Sequence, residues 1–292
     1  MKDFNSFFKS YDVEINDDVI HQETKKLLAD KTAENHTKEV YKQCFNFIDL
    51  TSLNTTDHHG TIEKMVEKVN NFSAHFQEMP SVAAICVFPN FAGTVNNHLK
   101  VPVGIAAVSA GFPSSQTFIE VKVAETSLAV HEGATEIDVV ISVGDFLNGD
   151  YEKVFDELVE LKASCRNAHF KVILETGALI HAAEIKKASL LAMEAGADFI
   201  KTSTGKMNPA ATTEAAFVMC SAIREYYNKT GKKVGFKPAG GIVTKDDAVN
   251  YYTIVKELLG DAWMTNHLFR FGASRLANNL LSAIYDQEIT YF

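Results

Sequence analysis

Eight short, continuously apolar runs punctuate this 292-residue chain. They are 45–50 (FNFIDL), 82–87 (VAAICV), 103–108 (VGIAAV), 136–141 (EIDVVI), 171–174 (KVIL), 199–204 (FIKTST), 234–237 (VGFK) and 268–271 (LFRF). Continuous rather than alternating apolarity suits strands covered on both faces, as in a parallel sheet. Between the runs lie segments with helical apolar spacing, among them 117–131, 151–165, 182–195, 212–227 and 245–259. Strand then helix, eight times over in a chain of this length, predicts an α/β fold of the (β/α)8 TIM-barrel type rather than an open sheet.

Three segments lie outside the repeat. Residues 1–42 are polar and charged with scattered Ile, Leu and Val, which predicts an N-terminal helical extension. Residues 54–80 are long for one connection and read as a helix enlarged by an insertion carrying His58, His59, Phe72 and Phe76. Residues 287–292 form a short tail, expected to be mobile because chain ends are seldom tied down. No Gly/Ser/Pro-rich linker or composition shift divides the chain, so 1–292 is read as one domain.

Composition narrows the function classes. At 46% hydrophobic and 22% charged, the chain can bury a sizeable core and is not of the disordered kind. With 28 Lys+Arg against 37 Asp+Glu, the net charge of −9 lacks the basic stripe that nucleic acid or an anionic membrane surface needs. Small-molecule partners are expected instead, and the acidic surface suits a monomer or a homodimer. Cys44, Cys86, Cys165 and Cys220 are far apart with no C-x-x-C pair, which suits a reduced, cytoplasmic setting. The first ten residues lack the apolar stretch of a leader, and no uncharged run is long enough to span a bilayer.

Barrel enzymes place their chemistry at the carboxyl ends of the strands. Here those ends carry Asp49 and Thr51, Cys86, Asp138, Glu175, Lys201 to Lys206, Lys237 to Gly241, and Gly272 to Arg275. Lys201, flanked by Phe199 and Ile200, is unusual, because a buried lysine needs a partner or a task. Desolvation and a second positive charge, such as Lys237 on the next strand, both lower a lysine pKa and leave the amine nucleophilic near neutral pH. A structural ion network explains any one strand lysine as well; two lysines with two carboxylates favour catalysis. Asp138 reads either as an acid/base relay or as a lysine counter-ion, and Asp49 either as a proton-transfer group or as an orienting acceptor for its strand.

Three Gly-rich turns, 204–206 (TGK), 239–241 (AGG) and 272–274 (GAS), follow the last three strands, where bare backbone N–H groups make a phosphate cradle. The ten histidines show no metal-ligand spacing, so neither metal nor cofactor is expected. Cys86 reads as a small buried hydrophobe with no histidine base beside it in sequence.

At DFIKTSTGK (198–206) and GFKPAGG (235–241) the chain resembles the deoxyribose-phosphate aldolases, Schiff-base (class I) barrel enzymes. The resemblance continues through IDLTSLN (48–54), AAICVFP (83–89), GATEIDVV (133–140), KVILETG (171–177) and RFGAS (270–274), in the same order, over roughly 45–285. It implies reversible aldol cleavage of 2-deoxy-D-ribose 5-phosphate to D-glyceraldehyde 3-phosphate and acetaldehyde. It further implies Lys201 as the imine-forming residue, with Lys237 and Asp138 as its proton-handling partners. By the same match Thr204, Gly205, Lys206, Gly240, Gly241, Gly272 and Ser274 hold the phosphate, and Asp49, Thr51 and Cys86 line the sugar end. Two positions depart from the pattern: Val243 stands where many relatives have Arg, and Arg275 where a second hydroxyl residue is usual. Arg275 either replaces the missing charge or points to solvent. Some family members end in a tyrosine that reaches the site, and Tyr291 is the penultimate residue here. The rival readings are a Schiff-base aldolase for another phosphosugar and a catalytically silent phosphometabolite-binding barrel.

Overall fold

A parallel sheet sheds its exposed edges only by closing on itself. The computed structural model describes residues 3–292, and in it the strands are β1 (Ile48–Thr51), β2 (Ala84–Val87), β3 (Gly104–Ser109), β4 (Glu136–Val140), β5 (His169–Ile173), β6 (Phe199–Lys201), β7 (Gly235–Lys237) and β8 (Phe271–Ala273). They pair in parallel in the order β7-β6-β5-β4-β3-β2-β1-β8, and isolated bridges Phe236–Phe269 and Ala239–Gly272 complete the ring. The fold is the expected (β/α)8 barrel.

Three helices precede the barrel: α1 (Phe4–Lys9), α2 (Asp17–Lys31) and α3 (Lys38–Asn46). The barrel helices are α4 (His59–His75), α5 (Ala92–His98), α6 (Ile119–His131), α7 (Val143–Leu147), α8 (Tyr151–Ser164), α9 (Thr176–Leu179), α10 (Ala182–Glu194), α11 (Thr213–Thr230), α12 (Lys245–Leu259) and α13 (Arg275–Tyr285). Three strand boundaries differ from the sequence reading, each for a local reason. Phe45 belongs to α3, where it stacks on Phe72 of α4 with ring centroids 5.0 Å apart. β6 ends at Lys201 because Thr202 and Thr204 turn away to bond Ala239 and Glu175. β8 starts at Phe271, since residues 268–270 meet β7 through only two ladder bonds, Phe236 N–H to Leu268 and Arg270 N–H to Phe236.

The extension and the tail are both tied to the barrel. Asp17 of α2 accepts from the Ala182 N–H at 2.7 Å, supplying the cap that α10's own preceding residue, His181, does not. The tail, expected to be mobile, is docked instead. Phe292 stacks on Phe72 at 5.7 Å, Tyr291 meets Phe76 edge-on at 5.4 Å, and Asn278 Oδ1 accepts both of their N–H groups at 2.9 Å.

Most of the core lies between sheet and helices. A second cluster of Leu53, Ala84, Cys86, Ala106 and Val108 lies apart from it. Ala84 and Cys86 share one phase of β2, Ala106 and Val108 one phase of β3, and the register sets Cys86 beside Ala106. These small side chains sit on the face opposite to that of Ile85, Val87, Ile105 and Ala107, and so leave room within the barrel for long ones.

Candidate active site

The space inside the barrel is filled by charge. Asp138 of β4 lies in register with Lys171 of β5, and Lys201 of β6 with Lys237 of β7. Asp138 Oδ2 takes Lys201 Nζ at 2.9 Å and Lys237 Nζ at 2.7 Å, while its Oδ1 takes Lys171 Nζ at 2.9 Å. Lys237 also reaches Asp49 at 2.5 Å, and Lys171 reaches Glu136 at 2.5 Å. Beneath them Arg270 bridges Asp49 at 2.6 Å and Glu136 at 2.9 Å. All seven groups are buried.

Four cationic side chains thus share three carboxylates, so the cluster becomes neutral when one amine gives up its proton. The three lysines differ. Burial lowers the proton affinity of Lys201 and the Lys237 ammonium adds to that; Asp138 opposes without prevailing, and the pKa lies below that of an ordinary lysine. Burial acts on Lys237 too, but Asp138 and Asp49 outweigh it and its pKa is raised. For Lys171, burial is outweighed by Asp138 and Glu136, and the pKa is again raised. Burial alone would lift the Asp138 pKa, but Lys171, Lys201 and Lys237 hold it well below the usual carboxylate range. Lys201 is therefore the amine most easily made neutral.

Lys201 also opens upward. A cavity of about 200 Å³ above the cluster is lined by Lys201, Thr51, Thr204, Gly205 and Lys206, and by Gly240, Gly241, Gly272 and Ser274. Val243 and Arg275 also line that wall, which contains no Asp or Glu despite the acidic composition of the chain. Gly240 is required on two counts: its φ is +88°, and a Cβ there would come within 3.0 Å of Gly205 Cα. The first residues of α13 border the cavity, with no acidic residue in that turn.

Not every residue assigned from the resemblance reaches this wall. Asp138, Lys237 and Asp49 lie beneath it, bonded to one another's partners. Cys86 is fully buried in the inner apolar cluster, and burial pushes its thiol pKa up, as for a small neutral hydrophobe. Tyr291 does not line this cavity, and its hydroxyl donates to the Lys68 carbonyl at 2.7 Å.

Sequence reasoning placed Glu175 at a strand end without giving it a role, and it missed Lys171, Glu136 and Arg270. Each of these three was signalled by a charge inside an apolar run: Lys171 in KVIL, Arg270 in LFRF, and Glu136 two residues from Asp138 and so on the same strand face. Glu175, at the end of KVILETG, accepts from both the N–H and the hydroxyl of Thr204.

The chain is similar in sequence and in shape to known aldolases. A family model described as DeoC/LacD family aldolase matches residues 14–256. Deoxyribose-phosphate aldolase of Homo sapiens is 38% identical over 286 residues, covering 94% of this chain and 90% of that protein. The Mus musculus enzyme of that name is 42% identical over 250 residues, covering 82% and 79%. Among solved structures, an aldolase called QR15 superposes with a TM-score of 0.69 at 28% identity, covering 83% of this chain and 96% of its own. Deoxyribose phosphate aldolase from Aeropyrum pernix, described as a tetramer, shares the fold with a TM-score of 0.64 at 23% identity over 89% of this chain and 95% of its own. With a family model matching residues 14–256 and a relative 38% identical over 94% of its length, the chain belongs to the DeoC/LacD family of aldolases.

Proposed function

We propose that this protein cleaves 2-deoxy-D-ribose 5-phosphate reversibly to D-glyceraldehyde 3-phosphate and acetaldehyde through an imine on Lys201. The observation that carries the reading is that Lys201 alone among the clustered lysines has a lowered pKa and a face on the cavity. Its neutral Nζ attacks the C1 aldehyde of the open-chain sugar, and loss of water from the carbinolamine leaves an iminium. That electron sink takes the pair released when the C3 hydroxyl loses its proton and the C2–C3 bond breaks. The resulting enamine is protonated at C2, and water then frees acetaldehyde and the amine. Asp138, within hydrogen-bond reach of both Lys201 and Lys237, suits proton transfer at the carbinolamine oxygen.

The phosphate is held by the turns at Thr204, Gly205 and Lys206, at Gly240 and Gly241, and at Gly272 and Ser274, with the α13 N-terminus behind the last. Thr51 lines the sugar end, with Asp49 and Cys86 beneath it. Arg275 serves as the second phosphate cation in place of the Arg that Val243 displaces: it lies on the cavity wall, and among the described residues it has no ion-pair partner. Arg275→Ser should raise the KM for the phosphorylated sugar roughly tenfold and leave free deoxyribose little changed, the cost of one charge-assisted contact. Equal effects on both sugars reject this role.

Borohydride reduction with 2-deoxyribose 5-phosphate, followed by peptide mass spectrometry, tests the whole reading. A stable adduct on Lys201, absent in Lys201→Met, supports it; none, or adducts scattered over surface lysines, overturns it. Dependence of condensation on acetaldehyde separates this substrate from other phosphosugars. A reduced, cytoplasmic location accords with four buried, unpaired cysteines and with no described helix long and apolar enough to cross a membrane.

A further inference from the structure

The loop after β5 grips the loop after β6 at two points, and it adopts a costly backbone to do so. Glu175 lies in the left-handed region at φ +56°, a conformation unfavourable for any residue with a Cβ and a long side chain. Its carboxylate, 6% exposed, accepts from the Thr204 N–H at 3.1 Å and from the Thr204 hydroxyl at 2.6 Å. The Thr204 hydroxyl oxygen in turn accepts from the Lys206 N–H at 3.0 Å, closing the turn that carries Gly205 and Lys206. Among the described residues no cation pairs with Glu175, so these donors alone meet its charge. Two residues later, Gly177 packs on the far end of the same loop, where a Cβ would sit 1.9 Å from the Pro209 carbonyl oxygen.

The barrel has no need of this arrangement. Strands β5 and β6 already pair through their own ladder, and the Thr176 N–H continues it to Thr202. What the clamp fixes is the segment between Thr204 and Pro209, whose Gly205 and Lys206 form one side of the cavity. Glu175 does not line that cavity itself.

We propose that Glu175 is a positioning residue for the substrate phosphate: through Thr204 it holds Gly205 and Lys206 where they meet the anion, and so sets affinity for phosphorylated substrates without touching the lysine chemistry. The inference rests on the reading of this turn as a phosphate site. A negative group behind the loop repels phosphate directly, so its effect comes through the donors it orders, each exchanged for a looser contact when the charge is removed.

The test is steady-state kinetics of full-length Glu175→Gln on 2-deoxyribose 5-phosphate and on free deoxyribose. The expected result is a KM for the phosphorylated sugar raised roughly ten- to a hundredfold, the range for losing a hydrogen bond to a charged group, with kcat and the free-sugar kcat/KM within about threefold. Borohydride trapping with acetaldehyde, which carries no phosphate, should proceed at the wild-type rate. Gly177→Ala displaces the same loop from its other end and should show the same selective rise, which keeps the test decisive if the first variant does not fold. Equal losses on both sugars, or an unchanged KM in a folded variant, overturn the positioning role. A wild type that does not prefer the phosphorylated sugar rejects the phosphate reading beneath it.

Discussion

Lys201, Lys237 and Lys171 occupy neighbouring strands and share one carboxylate, yet only Lys201 has its pKa lowered. The difference lies in partners: Lys237 has Asp49 and Lys171 has Glu136, whereas Lys201 has Asp138 alone. Lys201→Met should reduce turnover by about a thousandfold or more, since removal of a covalent nucleophile leaves only binding and the surrounding dipoles. Asp138→Asn should lower kcat by about a hundredfold or more, and by leaving buried ammonium groups uncompensated it should cost about 3–5 kcal/mol in chemical denaturation. Turnover should fall as the pH drops through the lowered Lys201 pKa, because protonation removes the nucleophile; a rate profile limited by imine formation reads this directly. Lys201 and Lys237 were legible in sequence because a charge stands out in an apolar run. Lys171 carries the same signal, but its place in the cluster was not legible, because it depends on lying across from Asp138, a pairing between segments more than thirty residues apart.

The helical elements followed their spacing closely, and what the pattern left out was how the ends dock. Asp17 caps α10 from another part of the chain, so Asp17→Ala should cost about 1 kcal/mol of stability, the usual worth of a cap, with little change in turnover. Burial of aromatic faces seats the tail, a gain that no local propensity records. Truncation after Gln287 should lower the melting temperature through loss of the Phe292 and Tyr291 contacts, yet leave kcat within a fewfold, because the Tyr291 hydroxyl is engaged at Lys68. A large drop in kcat with stability intact would return Tyr291 to the chemistry. Propensity cannot locate such docking, since its partners, Phe72 and Asn278, come from α4 and α13.

At the scale of the molecule, a charged column from Arg270 to Lys201 replaces the branched aliphatic layers that usually fill a barrel. Arg270→Ala should destabilise the protein by about 3–5 kcal/mol in urea titration, leaving Asp49 and Glu136 short of a buried partner. Acid should do the same by another route. Asp49, Asp138 and Glu136 have pKa values lowered in the fold from 3.8, 3.8 and 4.5, so their stabilisation is complete above those values and is lost as pH falls below them. Unfolding midpoints should therefore decline steeply below about pH 4, and less steeply in Asp49→Asn. The amino-acid order by itself determined the barrel, the strand ends where charge gathers and the two lysines within apolar runs, because periodicity and a charge within an apolar run are properties of local sequence. Only the tertiary structure decided which lysine has its pKa lowered, which carboxylates balance the others, and that Glu175 grips Thr204. Those outcomes depend on distance and desolvation among residues of different strands, which exist only once the barrel has closed.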